Sequence, residues 1–340
     1  MIMEKAHQYI ERHSGEIRDE VLKADRLIRL MYSGLRENAA FLFRALTSSV
    51  LTELIAWSHY DNPLKLKPDH IRSMIRDLKI NTDELIEPEC TRSVRTLFER
   101  KIAYWVTRPM PGGTDKVVSP CDARMIPGSL SQSTSFFIKH KFFDVEELLG
   151  KDKKRWLNAF EGGHYAVFRL TPDKYHYNHT PVTGTVVDFY EINGRYHSCN
   201  PSAVIEMVTP YSKNKRVVTV INTDIAGGTG AGLVAMVEIV ALMIGDIEQA
   251  YSDSAYDNPK KPALNDVMLK GQPKSLFRPG SSTVVLLFQK DRFEFSPDLL
   301  ANVSRTDVQS RFSKGFGQSL VETDLAVRSE IGIALKKENK

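Results

Sequence analysis

Residues 278–288 read Arg-Pro-Gly-Ser-Ser-Thr-Val-Val-Leu-Leu-Phe, and this stretch does the most to decide the fold. Its Pro-Gly pair predicts a turn, and the run from Thr283 to Phe288 is rich in the β-branched and apolar residues typical of a buried strand. Ser282 places a hydroxyl at the start of that strand, where it can attack the preceding carbonyl if a base removes its proton. On composition alone, a turn that simply enters a buried strand is the favoured interpretation.

Other short apolar runs upstream share the character of this strand. They begin after residues 107–114, whose Pro and Gly content is typical of a linker, and they are separated by Gly, Pro and Asn. We therefore predict that residues 107–335 form a mostly antiparallel β-sheet core and that residues 336–340 are a frayed tail. The runs are 117–118, 136–138, 165–170, 184–190 and 216–221.

The region before the linker has a different pattern, with apolar residues at helical spacing. Such a stripe runs through residues 16–32, and similar stripes follow in 40–55, 71–78 and 94–102. We predict that residues 1–106 are a helical N-terminal region packed on the sheet, which gives an α+β fold class.

The composition excludes several classes of protein. The net charge of +4, from 46 basic and 42 acidic residues, is far from the dense basic surface of a dedicated nucleic-acid-binding protein. Three widely spaced cysteines indicate a reducing compartment and no disulfide framework. The N-terminus lacks an apolar signal segment and no apolar run of about 18 residues occurs, so we expect a cytoplasmic protein that could contact a membrane only at its surface.

Residues 226–232, Ala-Gly-Gly-Thr-Gly-Ala-Gly, form a glycine-rich turn that could bind a phosphate through its backbone amides. The lysine that a P-loop requires is absent, and Asp246 or Glu248 downstream match a dinucleotide fingerprint only loosely. The favoured interpretation is therefore a glycine-permitted hairpin between two buried strands.

Residues 175–181, Tyr-His-Tyr-Asn-His-Thr-Pro, carry two histidines three positions apart. On a helix, His176 and His179 could ligate a metal together with His197 or Cys199. The proline and the aromatic residues of this segment instead predict an extended or turn conformation, in which residues three apart face away from each other. We therefore predict no metal site, while acid–base chemistry and a purely structural role both stay open.

Four segments in colinear order resemble motifs of the phosphatidylserine decarboxylase family. Any one motif is weakly specific, but four in sequence are strongly specific, and together they cover roughly residues 100–335. The segments are 118–124 (Val-Ser-Pro-Cys-Asp-Ala-Arg) for V-S-P-x-D-G-x, 138–150 for I-K-G-x-x-Y-x-x-x-x-L-L-G, 175–184 for Y-H-R-x-H-x-P-x-x-G, and 282–288 for the processing motif G-S-T-V-I-x-L-F, while Asn200 matches a downstream asparagine.

The resemblance implies a self-cleaving proenzyme whose cofactor is a pyruvoyl group made from Ser282. By position, Asp122, His179 and Ser282 match the family's self-cleavage triad, with His179 as the base and Asp122 as the group that orients its imidazole. His176 matches the histidine implicated in decarboxylation. The pyruvoyl ketone takes up the substrate amine and accepts the electrons released as carbon dioxide leaves, the role that pyridoxal phosphate plays elsewhere.

Three departures from the family pattern bear on these roles. Ser281 stands in place of the usual glycine, so the cleaved bond is either 281/282, which the alignment of the following Thr-Val-Val favours, or 280/281. Ala123 and His140 replace two motif glycines and could reshape the substrate pocket.

The substrate implied by the resemblance is phosphatidylserine, converted to phosphatidylethanolamine at an anionic membrane surface. No nucleic acid is expected as a partner, and a homodimer is compatible with the resemblance. Lys274 and Arg278, just before the cleavage site, are the side chains that we predict to hold the lipid phosphate, and an interpretation of them as solvated surface charges stays equally open. Two alternatives stay open: decarboxylation of a soluble amino acid, and a homologue that no longer processes itself and binds a lipid or a partner protein.

Overall fold

The computed structural model describes residues 7–20, 22, 25, 28, 31–32, 47, 68–131, 142–207, 209–242, 246–278 and 282–335. Within them the helices are α1 (Pro68–Asp77), α2 (Val94–Phe98), α3 (Tyr104–Thr107), α4 (Val145–Leu149), α5 (Lys154–Phe160), α6 (Pro201–Glu206), α7 (Pro210–Lys213), α8 (Pro297–Val303) and α9 (Arg311–Phe316), with 3-10 helices at Thr82–Glu84 and Pro88–Arg92.

The strands are β1 (Gln8–Glu11), β2 (Ile17–Asp19), β3 (Lys116–Val118), β4 (Ala123–Ser129), β5 (His164–Leu170), β6 (Tyr177–His179), β7 (Gly184–Ile192), β8 (Arg216–Asn222), β9 (Leu233–Ile239), β10 (Ile247–Gln249), β11 (Val267–Met268), β12 (Pro273–Phe277), β13 (Ser282–Phe288), β14 (Phe293–Phe295), β15 (Thr323–Leu325) and β16 (Glu330–Ala334).

Ten of these strands form one large sheet in the order β11-β7-β8-β9-β13-β5-β4-β15-β1-β2. Every neighbouring pair is antiparallel except β1 and β15, which run parallel. The strand β13 lies between β9 and β5, and all seven of its residues are buried because the sheet is covered on both faces. The predicted buried strand and the mostly antiparallel α+β fold are therefore confirmed.

Side chains of β13 alternate between two apolar layers, as the period of a strand requires. Val284 belongs to the layer that also contains Phe277, which we call the first layer, whereas Val285 belongs to the layer on the opposite face. Ser282 is two residues before Val284, so its side chain faces the first layer.

Two three-stranded antiparallel sheets complete the β structure, β10-β12-β6 and β14-β16-β3. Phe277 of β12 and Ile247 of β10 pack in the first layer, so the β10-β12-β6 sheet lies against the face of the large sheet toward which Ser282 points. The edge strand β6 carries His179. Its extended backbone confirms the prediction made for residues 175–181.

The N-terminal region contains strands as well as the predicted helices. The helices α1 and α2 lie within it, but Gln8–Glu11 and Ile17–Asp19 form β1 and β2, which extend the large sheet beside β15. The helix predicted for residues 16–32 is therefore wrong at its start. The division of the chain after residue 106 into two regions stays a prediction.

A buried charge cluster gives the reason for this difference. Arg169 on β5 donates to Glu20 and Glu322 at 2.6 Å each, and His7 lies 2.8 Å from Glu322. All four side chains are almost wholly inaccessible to solvent. Because buried charges need these partners, the segment that supplies His7 and Glu20 is held as a hairpin, and a local spacing of apolar residues cannot register such distant contacts.

Other predictions concern connections and termini. Residues 223–232 join β8 to β9 in an antiparallel hairpin, which confirms the favoured interpretation of the glycine-rich segment. The strand predicted at 136–138, most of the stripe at 40–55 and the tail at 336–340 lie outside the described residues. No helix in the described part of the chain is long and apolar enough to cross a membrane.

Candidate active site

Ser282 is the first residue of β13 and is fully buried. Its backbone lies opposite Leu170 of β5, so strand pairing fixes the position of the hydroxyl. The Oγ atom has no hydrogen-bond partner among the described residues. A buried hydroxyl without a partner costs on the order of 1–3 kcal/mol and is consistent with a reacting group. Other buried hydroxyls, such as those of Thr219 and Thr323, lack a partner as well, so the position of Ser282 at the start of the central strand carries the assignment. Ser281, the other residue of the predicted cleaved bond, lies outside the described residues.

His179 ends β6, and both of its ring nitrogens have partners. Nδ1 lies 2.9 Å from the carbonyl oxygen of Gly271, which can only accept, so the proton is on Nδ1. Nε2 is then the basic nitrogen and accepts from the hydroxyl of Tyr175 at 2.9 Å. Burial lowers the pKa of His179 to about 3, against the opposing effect of the Gly271 carbonyl. The ring is therefore neutral near pH 7 and can take up a proton at Nε2.

Asp122, just before β4, is held by a guanidinium. Burial alone would raise the pKa of Asp122, but Arg108 donates to it at 2.9 and 3.1 Å and holds that pKa below its usual value. The amide of Val327 donates to Oδ1 at 2.7 Å, and Arg108 also binds Glu84. Asp122 makes no hydrogen bond with His179, so its effect on the imidazole is electrostatic and of longer range.

Backbone hydrogen bonds bring the aspartate and histidine segments together. The amide of His179 donates to the carbonyl of Pro120 at 2.6 Å, and the amide of Val118 donates to the carbonyl of Pro181 at 3.0 Å. Because Asp122 follows Pro120 by two residues, its carboxylate is placed beside β6. These segments lie on the first-layer side of the large sheet, the side that the hydroxyl at the start of β13 faces.

His176 is fully buried and lies against the helical region. Its ring centroid is 3.6 Å from that of Phe98 on α2. Neither ring nitrogen makes a well-formed hydrogen bond within the described residues. Burial, and to a smaller extent the charge of Arg100, lowers the pKa of His176 to about 3. A backbone contact with Lys174 acts in the opposite direction but is weaker. The ring is thus neutral and can donate from one nitrogen and accept at the other when a ligand reaches it.

The two side chains predicted to hold the lipid phosphate are already paired with carboxylates. Lys274 is fully buried with Nζ 2.6 Å from Glu238, and burial lowers its pKa against the opposing effect of that carboxylate. Arg278 is partly exposed and binds Glu99 at 3.2 Å and also Glu248. Neither side chain hydrogen-bonds a predicted catalytic residue, and their role in holding the substrate stays a prediction.

Among the described residues, one group has the composition and spacing to hold a metal ion. It comprises His7, Glu20 and Glu322 of the buried charge cluster. Arg169 already donates to both carboxylates at 2.6 Å, so a cation would have to displace a guanidinium of the same charge sign. We therefore assign no metal to this cluster.

Sequence reasoning missed most of the groups around His179. The carbonyl of Gly271 sets the tautomer, and Tyr104 on α3 presents its ring edge-on to the imidazole with centroids 4.7 Å apart. A backbone carbonyl leaves no trace in residue type, and Tyr104 lies far from the histidine in sequence. Only Tyr175 was visible in advance, because it stands in the same motif.

The comparisons with known proteins identify the family to which the chain belongs. The family model described as phosphatidylserine decarboxylase matches residues 94–312, more than half of the chain. Phosphatidylserine decarboxylase proenzyme 2 of Oryza sativa subsp. japonica is 35% identical over 233 residues, which are 67% of this chain and 34% of that protein. Proenzyme 3 of Schizosaccharomyces pombe is 28% identical over 313 residues, which are 89% of this chain and 30% of that protein.

The chain covers a far larger share of the length of its bacterial relatives. The chain spans only about a third of the rice and fission-yeast relatives, but 95% of a phosphatidylserine decarboxylase proenzyme from Fusobacterium nucleatum subsp. nucleatum, with 26% identity over 311 residues and 91% of this chain aligned. The match includes the segments that carry Asp122, both histidines and Ser282. The chain therefore belongs to the phosphatidylserine decarboxylase family.

Proposed function

We propose that the chain is a self-processing, pyruvoyl-dependent decarboxylase that converts phosphatidylserine to phosphatidylethanolamine. The observation that carries the proposal is the hydroxyl of Ser282, which is fully buried, has no hydrogen-bond partner among the described residues and begins the central strand. Family membership and the neutral His179 on the facing sheet support the same activity.

Self-cleavage uses only groups of the chain. His179 takes the proton of the Ser282 hydroxyl at Nε2, and Oγ attacks the carbonyl carbon of Ser281. The peptide C–N bond breaks as an ester C–O bond forms, and the amino group that is released stays on the α-carbon of residue 282. Loss of the α-proton with cleavage of the Cβ–Oγ bond leaves a carboxylate on Ser281 and a dehydroalanine at 282. Water then releases ammonia and leaves a pyruvoyl group.

In this step Tyr175 and the Asp122–Arg108 pair have distinct tasks. The Tyr175 hydroxyl covers Nε2 in the proenzyme, so it must turn aside or share its hydrogen bond when Ser282 donates. Gly271 holds the Nδ1 proton in place throughout. Asp122 supplies a negative charge that favours the protonated imidazole, although Arg108 screens much of it.

A pyruvoyl group at position 282 would supply an electron-accepting carbonyl for a substrate that carries a primary amine. Its site fits such a group, because position 282 is buried and faces the layer against which the β10-β12-β6 sheet packs. His176, whose ring nitrogens make no well-formed hydrogen bond with the described residues, is the residue that we propose to hold and return a proton during decarboxylation. Its contact with Phe98 excludes water from one face of the ring.

The proposal extends to the surroundings of the enzyme. A net charge of +4 and the lipid substrate together favour a location at an anionic membrane surface in the cytoplasm. A homodimer is compatible with the proposal. The alternatives are a soluble amino acid as substrate and a chain that never cleaves itself. A complete set of predicted self-cleavage residues argues against the second alternative.

Intact mass spectrometry of the purified protein tests the proposal. We expect a fragment of residues 282–340 whose mass is lower than the unmodified peptide by one ammonia, and whose N-terminus is blocked to Edman sequencing. Vesicles of phosphatidylserine and free L-serine are then offered in parallel to the same sample.

Each alternative has its own result in this experiment. A single uncleaved chain near 38.5 kDa would contradict self-processing. A blocked fragment starting at residue 281 would move the nucleophile to Ser281. Turnover of the free amino acid without turnover of the lipid would reject the lipid substrate and leave the pyruvoyl chemistry in place. The matched control is Ser282→Ala, which removes the attacking hydroxyl and should stay uncleaved.

A further inference from the structure

Arg328 has a backbone conformation that residues with a β-carbon rarely adopt. Its φ is +68°, in the left-handed region that favours glycine. It directly follows Val327, whose amide donates to Asp122, so this backbone is fixed next to the candidate active site. Strain of this kind persists where the surroundings hold it, and it occurs often at functional sites.

The guanidinium of Arg328 lies beside an aromatic ring and has no acidic partner among the described residues. Nη1 donates to the carbonyl of Tyr104 at 2.9 Å, and the guanidinium lies 4.9 Å from the centroid of the Tyr104 ring. Nε is buried without a hydrogen-bond partner, and no carboxylate of the described residues forms an ion pair with Arg328. Arg108 and Arg278, by contrast, each bind two carboxylates. Arg328 therefore keeps donors and charge for an anion.

Gly271 provides the space that this guanidinium occupies. A β-carbon at Gly271 would lie 3.1 Å from Nε of Arg328 and 2.6 Å from Sδ of Met110. The carbonyl of the same glycine accepts from Nδ1 of His179. One residue thus adjoins both the candidate base and the arginine, and Arg328 is close enough to His179 to lower the pKa of its imidazole.

The surface beside Arg328 is apolar and exposed. Trp105 and Val106, which follow Tyr104 on α3, are 51% and 70% exposed, and Met110 is also exposed. A cation with free donors beneath an apolar rim matches an amphiphile whose charged headgroup lies below its acyl chains.

We propose that Arg328 binds the phosphodiester of the substrate headgroup beside His179, an inference that rests on the proposed function. A guanidinium matches a phosphate with two parallel hydrogen bonds. The substrate also carries a carboxylate, but pairing with that group would stabilise the negative charge that decarboxylation removes, and would slow the reaction. The phosphodiester keeps its charge throughout, so binding it fixes the substrate without this cost.

Kinetics on dihexanoylphosphatidylserine test the assignment in the mature enzyme, with Arg328→Asn and Arg328→Lys. Asparagine tolerates the left-handed backbone and has no charge, whereas lysine keeps the charge and loses the planar fork. We expect Arg328→Asn to raise KM about tenfold to a hundredfold with kcat changed less than about threefold, and lysine to restore part of the loss. An unchanged KM in Arg328→Asn would overturn the proposal.

Dihexanoylphosphatidylglycerol distinguishes the two anions, because it has the phosphodiester without the carboxylate or the amine. Its inhibition constant should rise in Arg328→Asn by about the same factor as KM. A raised KM with an unchanged inhibition constant would place the carboxylate on Arg328 and overturn the phosphodiester assignment.

Arg292→Asn is the matched control. Arg292 lies past the Phe288 end of β13, away from Ser282, and binds Asp224, so its loss should change neither constant. Calorimetric binding of the phosphatidylglycerol lipid to unprocessed Ser282→Ala needs no catalysis. Weaker lipid binding after Arg328→Asn is added to Ser282→Ala would support the anion site. This result would hold even if the wild-type chain showed no decarboxylation, because missing decarboxylation would refute only the proposed function. Equal binding would overturn the anion site.

Discussion

His179 on β6 and His176, just before that strand, differ in their hydrogen bonding although they are only three positions apart in sequence. His179 has a partner on each ring nitrogen, the Gly271 carbonyl and the Tyr175 hydroxyl. His176 has no well-formed hydrogen bond within the described residues and packs against Phe98. Both rings are buried and neutral, with pKa values lowered to about 3. Burial alone therefore does not distinguish them, whereas their hydrogen bonds do.

This difference indicates which task each ring can perform. A base for self-cleavage needs a known tautomer before any ligand arrives, and the Gly271 carbonyl supplies it for His179. A group that acts on a substrate needs nitrogens able to bond with it, and those of His176 make no well-formed hydrogen bond in the described part of the chain, which is consistent with the role proposed for it. The predictions below are arranged to break or sharpen this contrast.

The largest expected effect separates the two rings by mutation. His179→Ala should slow self-cleavage at least a hundredfold, because it removes the imidazole that we propose takes the proton of Ser282. His176→Ala should still cleave and then lose most decarboxylation. Denaturing gels follow cleavage and carbon dioxide release follows turnover.

The control for this pair is His164→Ala. His164 lies opposite Phe288, at the other end of β13 from Ser282, and it should change neither activity. Equal and complete cleavage in the His179 and His176 variants would contradict the assignment of His179 as the base.

A smaller effect is expected from the charge behind His179. Asp122→Asn should slow self-cleavage about tenfold without unfolding the chain, because an amide has nearly the same shape but cannot stabilise a protonated imidazole. Circular dichroism and a gel on one sample measure both properties.

Glu84→Gln is the matched variant for Asp122→Asn, since Glu84 binds the same Arg108 guanidinium. It should cost similar stability and leave the cleavage rate unchanged. If both variants slow cleavage equally, the role of Asp122 is to anchor Arg108 and not to act on the imidazole.

Acid should destabilise the proenzyme through the same two rings. The pKa of each is about 3 in the folded chain and near the ordinary 6.5 when unfolded, so the unfolded chain binds more protons between these values. Stability is therefore fully present above pH 6.5 and falls as the pH drops toward 3, by up to about 1.4 kcal/mol per pH unit for each ring. Urea unfolding of Ser282→Ala at pH 7, 6 and 5 measures the slope, and adding His176→Phe should make it shallower by about one ring's share. An unchanged slope would show that His176 does not stay neutral.

The smallest expected effect concerns Arg278. Arg278→Ala should raise KM for phosphatidylserine, but by less than Arg328→Asn, because Glu99 and Glu248 already neutralise its charge. Steady-state kinetics on dihexanoylphosphatidylserine compare the two variants. A larger rise in KM for Arg278→Ala than for Arg328→Asn would indicate that Arg278 holds the phosphate, as predicted from the sequence.

Several strands, β3, β5, β7, β8 and β13, were predictable from local sequence, and so were the extended histidine segment and the hairpin at residues 223–232. Each depends on residue types within about ten positions, such as the β-branched run that makes β13. The strands β1 and β2 were not predictable, because they form through distant partners: Arg169 on β5, 149 residues from Glu20, and the strand β15. The helical spacing of apolar residues that begins at residue 16 carries no information about these distant partners.

The candidate site divides in the same way. Asp122, His176, His179 and Ser282 each lie in a short motif, so sequence alone could single them out. Their hydrogen bonds could not be predicted: Asp122 binds Arg108 and not the imidazole, and a glycine carbonyl sets the histidine tautomer. Arg328 escaped notice because its backbone conformation and its lack of an acidic partner exist only in three dimensions.

The interleaved order of the large sheet has a consequence for the lifetime of the mature protein. If the chain cleaves itself at 281/282 as proposed, β13 belongs to the smaller product yet lies between β9 and β5 of the larger one, and β15 lies between β4 and β1. Neither product can leave without breaking the sheet on both sides of a strand. Once melted, the two chains would have to find each other by diffusion, with no peptide bond to keep their ends near. The processed enzyme would then be a trapped state, formed once by a continuous chain and protected afterwards by its rate of unfolding and not by an ability to refold.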